Sequence, residues 1–159
     1  MSAIDMTIGI NSGNPPTGNA NYPAIKLYQS WNGNAQEGEF PSEPPKNFGG
    51  DKQITRFPEL DGSGVLQFPP DDYRERELVW EAIDYDQFNS SGRLIYELKR
   101  CRYAECGYDF YLGATDSSGA YMFHENPMKI RIIDVLIEPV GNAANRKLVN
   151  VRLVFQRVT

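Results

Sequence analysis

The chain has 159 residues, of which 40% are hydrophobic and 23% charged, with a net charge of -5 at neutral pH. That length supports one domain with a real core, and the acidic balance argues against the basic surface that broad nucleic-acid binding needs. No apolar run approaches the roughly 20 residues required to cross a bilayer as a helix, and residues 1–10 have neither the basic nor the apolar region of a secretion signal.

The chain divides into two unlike parts. Nine of the eleven prolines and nine of the fourteen glycines fall in the first seventy residues. Such punctuation interrupts helices and central strands alike. Within this part only residues 24–31 read as a strand, with Ile25, Leu27 and Trp31 alternating against Lys26, Tyr28 and Ser30. A shorter candidate covers residues 53–57. The segment still carries Tyr22, Trp31, Phe40, Phe48, Phe57 and Phe68 at wide spacing, more aromatics than a disordered linker spends. Residues 1–75 therefore read as an extended arm whose aromatics dock into pockets, either of its own core or of a neighbouring subunit.

Residues 76–159 are regular. Leu78, Val79, Trp80 and Ile83 mark a strand over residues 77–85. Asp86 or Ser90 is placed to cap a helix, along which Leu94, Ile95, Leu98 and Cys101 share one face. Gly107 is a natural stop. Tyr108, Phe110 and Leu112 alternate with Asp109, Tyr111 and Gly113 as in a half-buried strand. Asp116, Ser117, Ser118 and Gly119 have turn chemistry, and a strand resumes over residues 121–123. Residues 129–138 form an Ile- and Val-rich strand, and Pro139, Gly141 and Asn142 supply turn signals. Val149, Val151, Leu153 and Phe155 then alternate with polar neighbours, so the chain closes on a long antiparallel hairpin. The Ile132, Ile133 pair breaks the alternation and predicts a β-bulge. The fold class is mainly β (α+β): an antiparallel β-sandwich or small barrel with one packed helix and the N-terminal arm.

No common catalytic constellation emerges, and no cofactor is expected. His124 is the single histidine and reads as a loop residue rather than a catalytic base. With it, Cys101 and Cys106 are too few for a zinc site; their spacing of five makes a disulfide doubtful. Two turn-like runs, Glu59 to Gly64 by way of Asp61 and the run after Asp116, lack the closing glutamate of a calcium loop. Glu75, Glu77 and Glu81, interleaved with Arg74 and Arg76, read as a solvated strip paired within itself. Trp31 and Tyr28 beside Asn32 and Asn34 would suit a sugar, although docking of the arm is the simpler reading. Arg93 and Arg100 on the helix are candidate subunit contacts, together with the arm aromatics Tyr22, Trp31, Phe40, Phe48 and Phe57. The helix has few aromatics between its cations, which favours an acidic subunit surface over nucleic acid as its partner.

The order of Leu78, Val79, Trp80 and Glu81, then Leu94 to Leu98 as a helix, then Tyr108 to Leu112, with the closing Met128 to Ile132 and Leu148 to Phe155, resembles small tail proteins of tailed bacteriophages (tail-tube, distal-tail and minor tail or baseplate types). The resemblance covers the second half of the chain and is one of layout. It implies a β-sandwich or barrel with a flanking helix, no catalytic residues, and copies of the chain assembled into rings within a virion. The arm departs from the simplest members and leaves a capsid decoration protein, or a carbohydrate-binding module, as alternative readings.

Overall fold

The computed structural model describes residues 3–29, 40–41, 43, 45–46, 55–56, 66–67, 74–116, 127–143 and 146–158. In chain order their strands are β1 (Ala3–Gly9), β2 (Ile25–Gln29), β3 (Thr55–Arg56), β4 (Leu66–Gln67), β5 (Glu75–Asp84), β6 (Phe110–Asp116), β7 (Met128–Ala143) and β8 (Arg146–Arg157). Three short helices lie between β5 and β6: α1 (Tyr85–Phe88), α2 (Leu94–Arg100) and α3 (Tyr103–Cys106). Six strands form one antiparallel sheet in the order β2-β1-β6-β7-β8-β5, and β3 pairs only with β4. The mainly β, α+β class read from the sequence is the class observed.

The sheet does not lie flat. At about 4.8 Å per strand, its edges β2 and β5 would stand about 24 Å apart in a flat sheet. Instead the Trp80 indole Nε1 on β5 donates to the Leu27 carbonyl on β2 at 3.2 Å, in a buried hydrogen bond. The six strands are therefore rolled into an open barrel whose two edges are bridged by one tryptophan. Leu27 can accept because the β1–β2 register slips between Met6 and Thr7, so that Lys26 and Tyr28 have partners on β1 and Leu27 has none.

The inward face follows the alternation. Met6 and Ile8, Leu78 and Trp80, Phe110, Leu112 and Ala114, Met128, Ile130 and Ile132, and Val149, Val151, Leu153 and Phe155 form one buried cluster. The β7–β8 register shifts between Ile132 and Asp134, where the sequence predicts a bulge, and burial resumes at Val135. Helix α2 adds Leu94, Ile95, Leu98 and Cys101 to the core and lies against β2.

Several expectations change. β1 was not anticipated. It pairs on both sides, with β2 and with β6, so Ala3–Gly9 and Ile25–Gln29 belong to the sheet, and the division at residue 75 does not separate arm from barrel. Pro139, Gly141 and Asn142 do not form the turn: β7 runs on to Ala143 with a register irregularity between Pro139 and Gly141. Proline is tolerated because Pro139 lies where β6 no longer pairs with β7, so its missing N–H faces an edge. One helix was expected, and among the described residues three short ones occur between β5 and β6. Neither Asp86 nor Ser90 caps them with its side chain. Asp84 caps α1 by accepting from the Gln87 N–H at 3.2 Å. Gly107 is a stop, as expected, but for α3, in the left-handed conformation at φ 73°. The expected strand over residues 121–123 lies outside the described residues, as does the turn before it from residue 117 on.

Among the described residues, the arm meets the sheet along β5. Lys46 and Val79 exchange backbone hydrogen bonds of 2.7 and 2.9 Å, which places Lys46 on the outer edge of β5.

Candidate functional site

The most distinctive surface is a strip of tyrosines and arginines built from four separate segments, with one cluster around Tyr22 and Arg100 and a second around Asp109 and Arg131. It begins on α2, whose first turn is prepared by Gly92 at φ 83°. The Gly92 N–H donates to Glu97 Oε2 at 2.8 Å, so the glutamate reaches back to satisfy a backbone donor ahead of the helix. Glu97 is only 1% exposed, and its other oxygen takes Arg100 Nη1 at 2.8 Å. The buried carboxylate thus fixes the guanidinium one turn on.

Arg100 then serves three further groups. Its Nη2 donates to the Asn21 carbonyl, and its guanidinium lies 5.4 Å from the Tyr22 ring and 5.8 Å from the Tyr96 ring. The Tyr22 segment is pre-shaped for this. Asn19 Oδ1 accepts from the N–H groups of Asn21 and Tyr22 at 2.9 and 2.8 Å, an Asx-type turn. Gly18 is needed there because a Cβ would fall 2.2 Å from the Tyr22 carbonyl oxygen.

Tyr22 meets Tyr108 edge-on at 5.3 Å and Phe110 at 6.4 Å. Next to Tyr108, Asp109 Oδ1 takes Arg131 Nε at 2.9 Å, and Lys129 stands 3.9 Å from the other carboxylate oxygen. Arg131 stacks on Tyr103 at 4.6 Å. The hydrogen bond to Asp109 pushes the Arg131 guanidinium further above its ordinary range, so it stays charged at every working pH. Tyr108, Tyr96 and Tyr103 are 48%, 39% and 36% exposed. The strip therefore offers ring surface on a rigid base, the chemistry enriched at protein interfaces.

A second feature is a shallow cleft of about 210 Å³ between the arm and β5, lined by Pro41, Glu43, Lys46 and residues 79–83. The β5–β8 register slips between Trp80 and Ile83. Ala82 takes φ 52° in this bulge, and its N–H donates to Asn150 Oδ1 at 2.9 Å. Lys46 Nζ pairs with Glu81 at 2.8 Å, and that pairing raises the lysine's pKa. Nothing buried and polar points into the cleft from the residues that line it.

Of the residues singled out in the sequence, Tyr22 and Arg100 meet each other in this strip. Arg93 sits ahead of α2 and Phe40 is half-buried beside Pro41. Trp31, Phe48, Phe57 and His124 lie outside the described residues, as do both calcium-like runs apart from Asp116. Tyr28 is 9% exposed and packs in the core, so its ring offers no stacking face for a sugar. Of the β5 glutamates, Glu77 reaches Arg152 of β8 at 3.4 Å and Glu81 reaches Lys46 at 2.8 Å, while Arg76 is buried. The antiparallel ladder brings β8 closer to these carboxylates than their sequence neighbours, whose side chains alternate to the other face. Cys101 and Cys106 are free thiols, and Cys106 Sγ–H donates to the Cys101 carbonyl at 3.4 Å. Among the described residues no group of three or more His, Cys, Asp or Glu side chains is arranged to hold a metal ion.

Tyr96, Tyr103, Tyr108, Asp109 and Arg131 were not singled out. The only sequence signal for them was an unusual density of tyrosine around residues 96–111. Comparison with protein-family models, curated proteins and solved structures gave no match to this chain.

Proposed function

We propose that this chain is a non-enzymatic structural subunit that assembles with copies of itself, of the kind found in the tails of tailed bacteriophages. The layout of its second half supports that class, and one observation carries the assembly reading. Exposed tyrosines are held in place by Arg100, anchored on the buried Glu97 carboxylate, and by the Asp109–Arg131 pair. Ordering such side chains in the free subunit lowers the entropy lost when a partner covers them. Exposed ion pairs alone contribute little to folding, so the Asp109–Arg131 pair is better explained by recognition than by stability.

The test is the mass of the purified chain by light scattering, with negative-stain imaging at rising concentration. Rings, discs or tubes are the expected outcome. A strictly monomeric chain up to millimolar concentration would sink the assembly reading.

A further inference from the structure

The partner surface for the strip can be located on the same molecule. On the outward face of the barrel, Val79, Arg152 and Leu136 lie in register across β5, β8 and β7, with Glu77, Val154 and Asp134 in the next row. Their strand neighbours Leu78, Trp80, Val135, Leu153 and Phe155 are all buried, which fixes these side chains outward. Leu136 is 39% exposed. The outcome is a mixed surface in which Val79 and Leu136 flank Arg152 and Val154 lies between Glu77 and Asp134. Its acids Glu75, Glu77, Asp134 and Glu138 outnumber Arg152, which is shared between Glu77 and Glu138 at 3.4 Å each. The strip has the opposite balance: Arg100, Arg102, Lys129 and Arg131 outnumber Asp109 and Glu105, Glu97 being buried, although Arg102 also reaches Asp134 at 3.2 Å.

Resting on the assembly reading above, we infer that the Tyr–Arg strip of one copy docks on the glutamate-bearing β5–β8–β7 face of a second copy, in a head-to-tail contact. Two considerations select this geometry. A strip facing a strip sets cation against cation, and a glutamate face opposite another sets carboxylate against carboxylate; only the mixed contact is complementary. The tyrosine rings also find apolar contacts in Val79, Val154 and Leu136, which alternate with those charges. Because the two surfaces are different parts of one chain, each copy keeps one of each unused after a single contact. Such a heterologous interface propagates, closing into a ring or continuing as a filament.

Two variants test this. Tyr96→Glu/Tyr108→Glu removes the strip and leaves the face. Leu136→Lys/Glu138→Lys removes the face and leaves the strip. All four positions are exposed, and an unchanged far-ultraviolet dichroism spectrum checks the fold of each variant. Each variant alone is expected to be monomeric. Mixed one to one, they are expected to give a heterodimer of twice the chain's mass and nothing longer, because one working strip meets one working face. Either variant assembling alone like the wild type, or a mixture that stays monomeric while the wild type assembles, overturns the inference and leaves the assembly reading standing. A monomeric wild type overturns both.

Discussion

Phe155 faces Arg76 on one side and Ile132 on the other in the ladder, and its ring is fully buried. Phe155→Ala leaves a cavity that neighbouring strands cannot close, and should cost about 3–5 kcal/mol. Urea unfolding would read this as a lower midpoint at unchanged slope; a loss under about 1 kcal/mol would mean the ring is not in the core. Cys101 carries a different kind of information. Burial pushes its thiol from 9.0 up to about 12, with Cys106 and Glu97 adding to the rise and Arg100 opposing it. For an acid raised in the folded state, stability is intact below the unfolded value of 9.0. It falls as pH climbs toward 12, because only the unfolded chain then releases the proton. Near pH 10.5 this amounts to about 2 kcal/mol. Comparing unfolding free energies at pH 8 and pH 10.5, the decline should be smaller in Cys101→Ala than in wild type. Equal declines would show that the thiol is not protected.

The bulge in β5 inverts the usual strand preferences. Ala82 at φ 52° is in the left-handed region, which costs an L-residue about 1–2 kcal/mol. Glycine avoids that cost but loses more backbone entropy, about 0.5–1 kcal/mol. Ala82→Gly should therefore be neutral or slightly stabilising. Ala82→Val, favourable in an ordinary strand, should destabilise by more than about 1 kcal/mol. Thermal midpoints of the two variants give the order, and a more stable valine variant would refute the bulge geometry. The same element shows what the sequence could and could not reveal. Alternation exposed β5, β6, β7 and β8, and a 3.6-residue period exposed the face of α2, because each reports burial along a single stretch. β1 carries the same alternation, with Ile4, Met6 and Ile8 against Asp5, Thr7 and Gly9; it escaped because it opens the proline- and glycine-rich part, whose punctuation argues against central strands. Pro139 misled because its meaning depends on whether a neighbour pairs at that point. The strip was illegible for a related reason: Tyr22, Arg100, Tyr108 and Arg131 are brought together by the rolled sheet, while each alone reads as an ordinary surface residue.

At the scale of the whole molecule, the net charge of -5 has to be reconciled with the proposed self-association, since uniformly acidic copies repel. Segregation of charge resolves this, with cations gathered on the Tyr–Arg strip and glutamates on the β5–β8–β7 face. Attraction across the contact is then short-ranged, while repulsion between whole subunits is long-ranged, and salt screens the two differently. At about 0.1 M salt the screening length is about 10 Å, which already damps the net repulsion between copies. At about 1 M it is about 3 Å, short enough to weaken the ion pairs of the contact itself. Assembly should therefore be strongest at moderate ionic strength and decline toward 1 M sodium chloride, with the barrel's own melting temperature nearly unchanged because its core is apolar. Sedimentation velocity across a salt series at fixed protein concentration measures the first quantity, and thermal melts of the monomeric strip variant measure the second. Association that keeps strengthening up to 1 M salt would assign the contact to apolar burial alone, and the charge segregation would then have no part in choosing the partner surface.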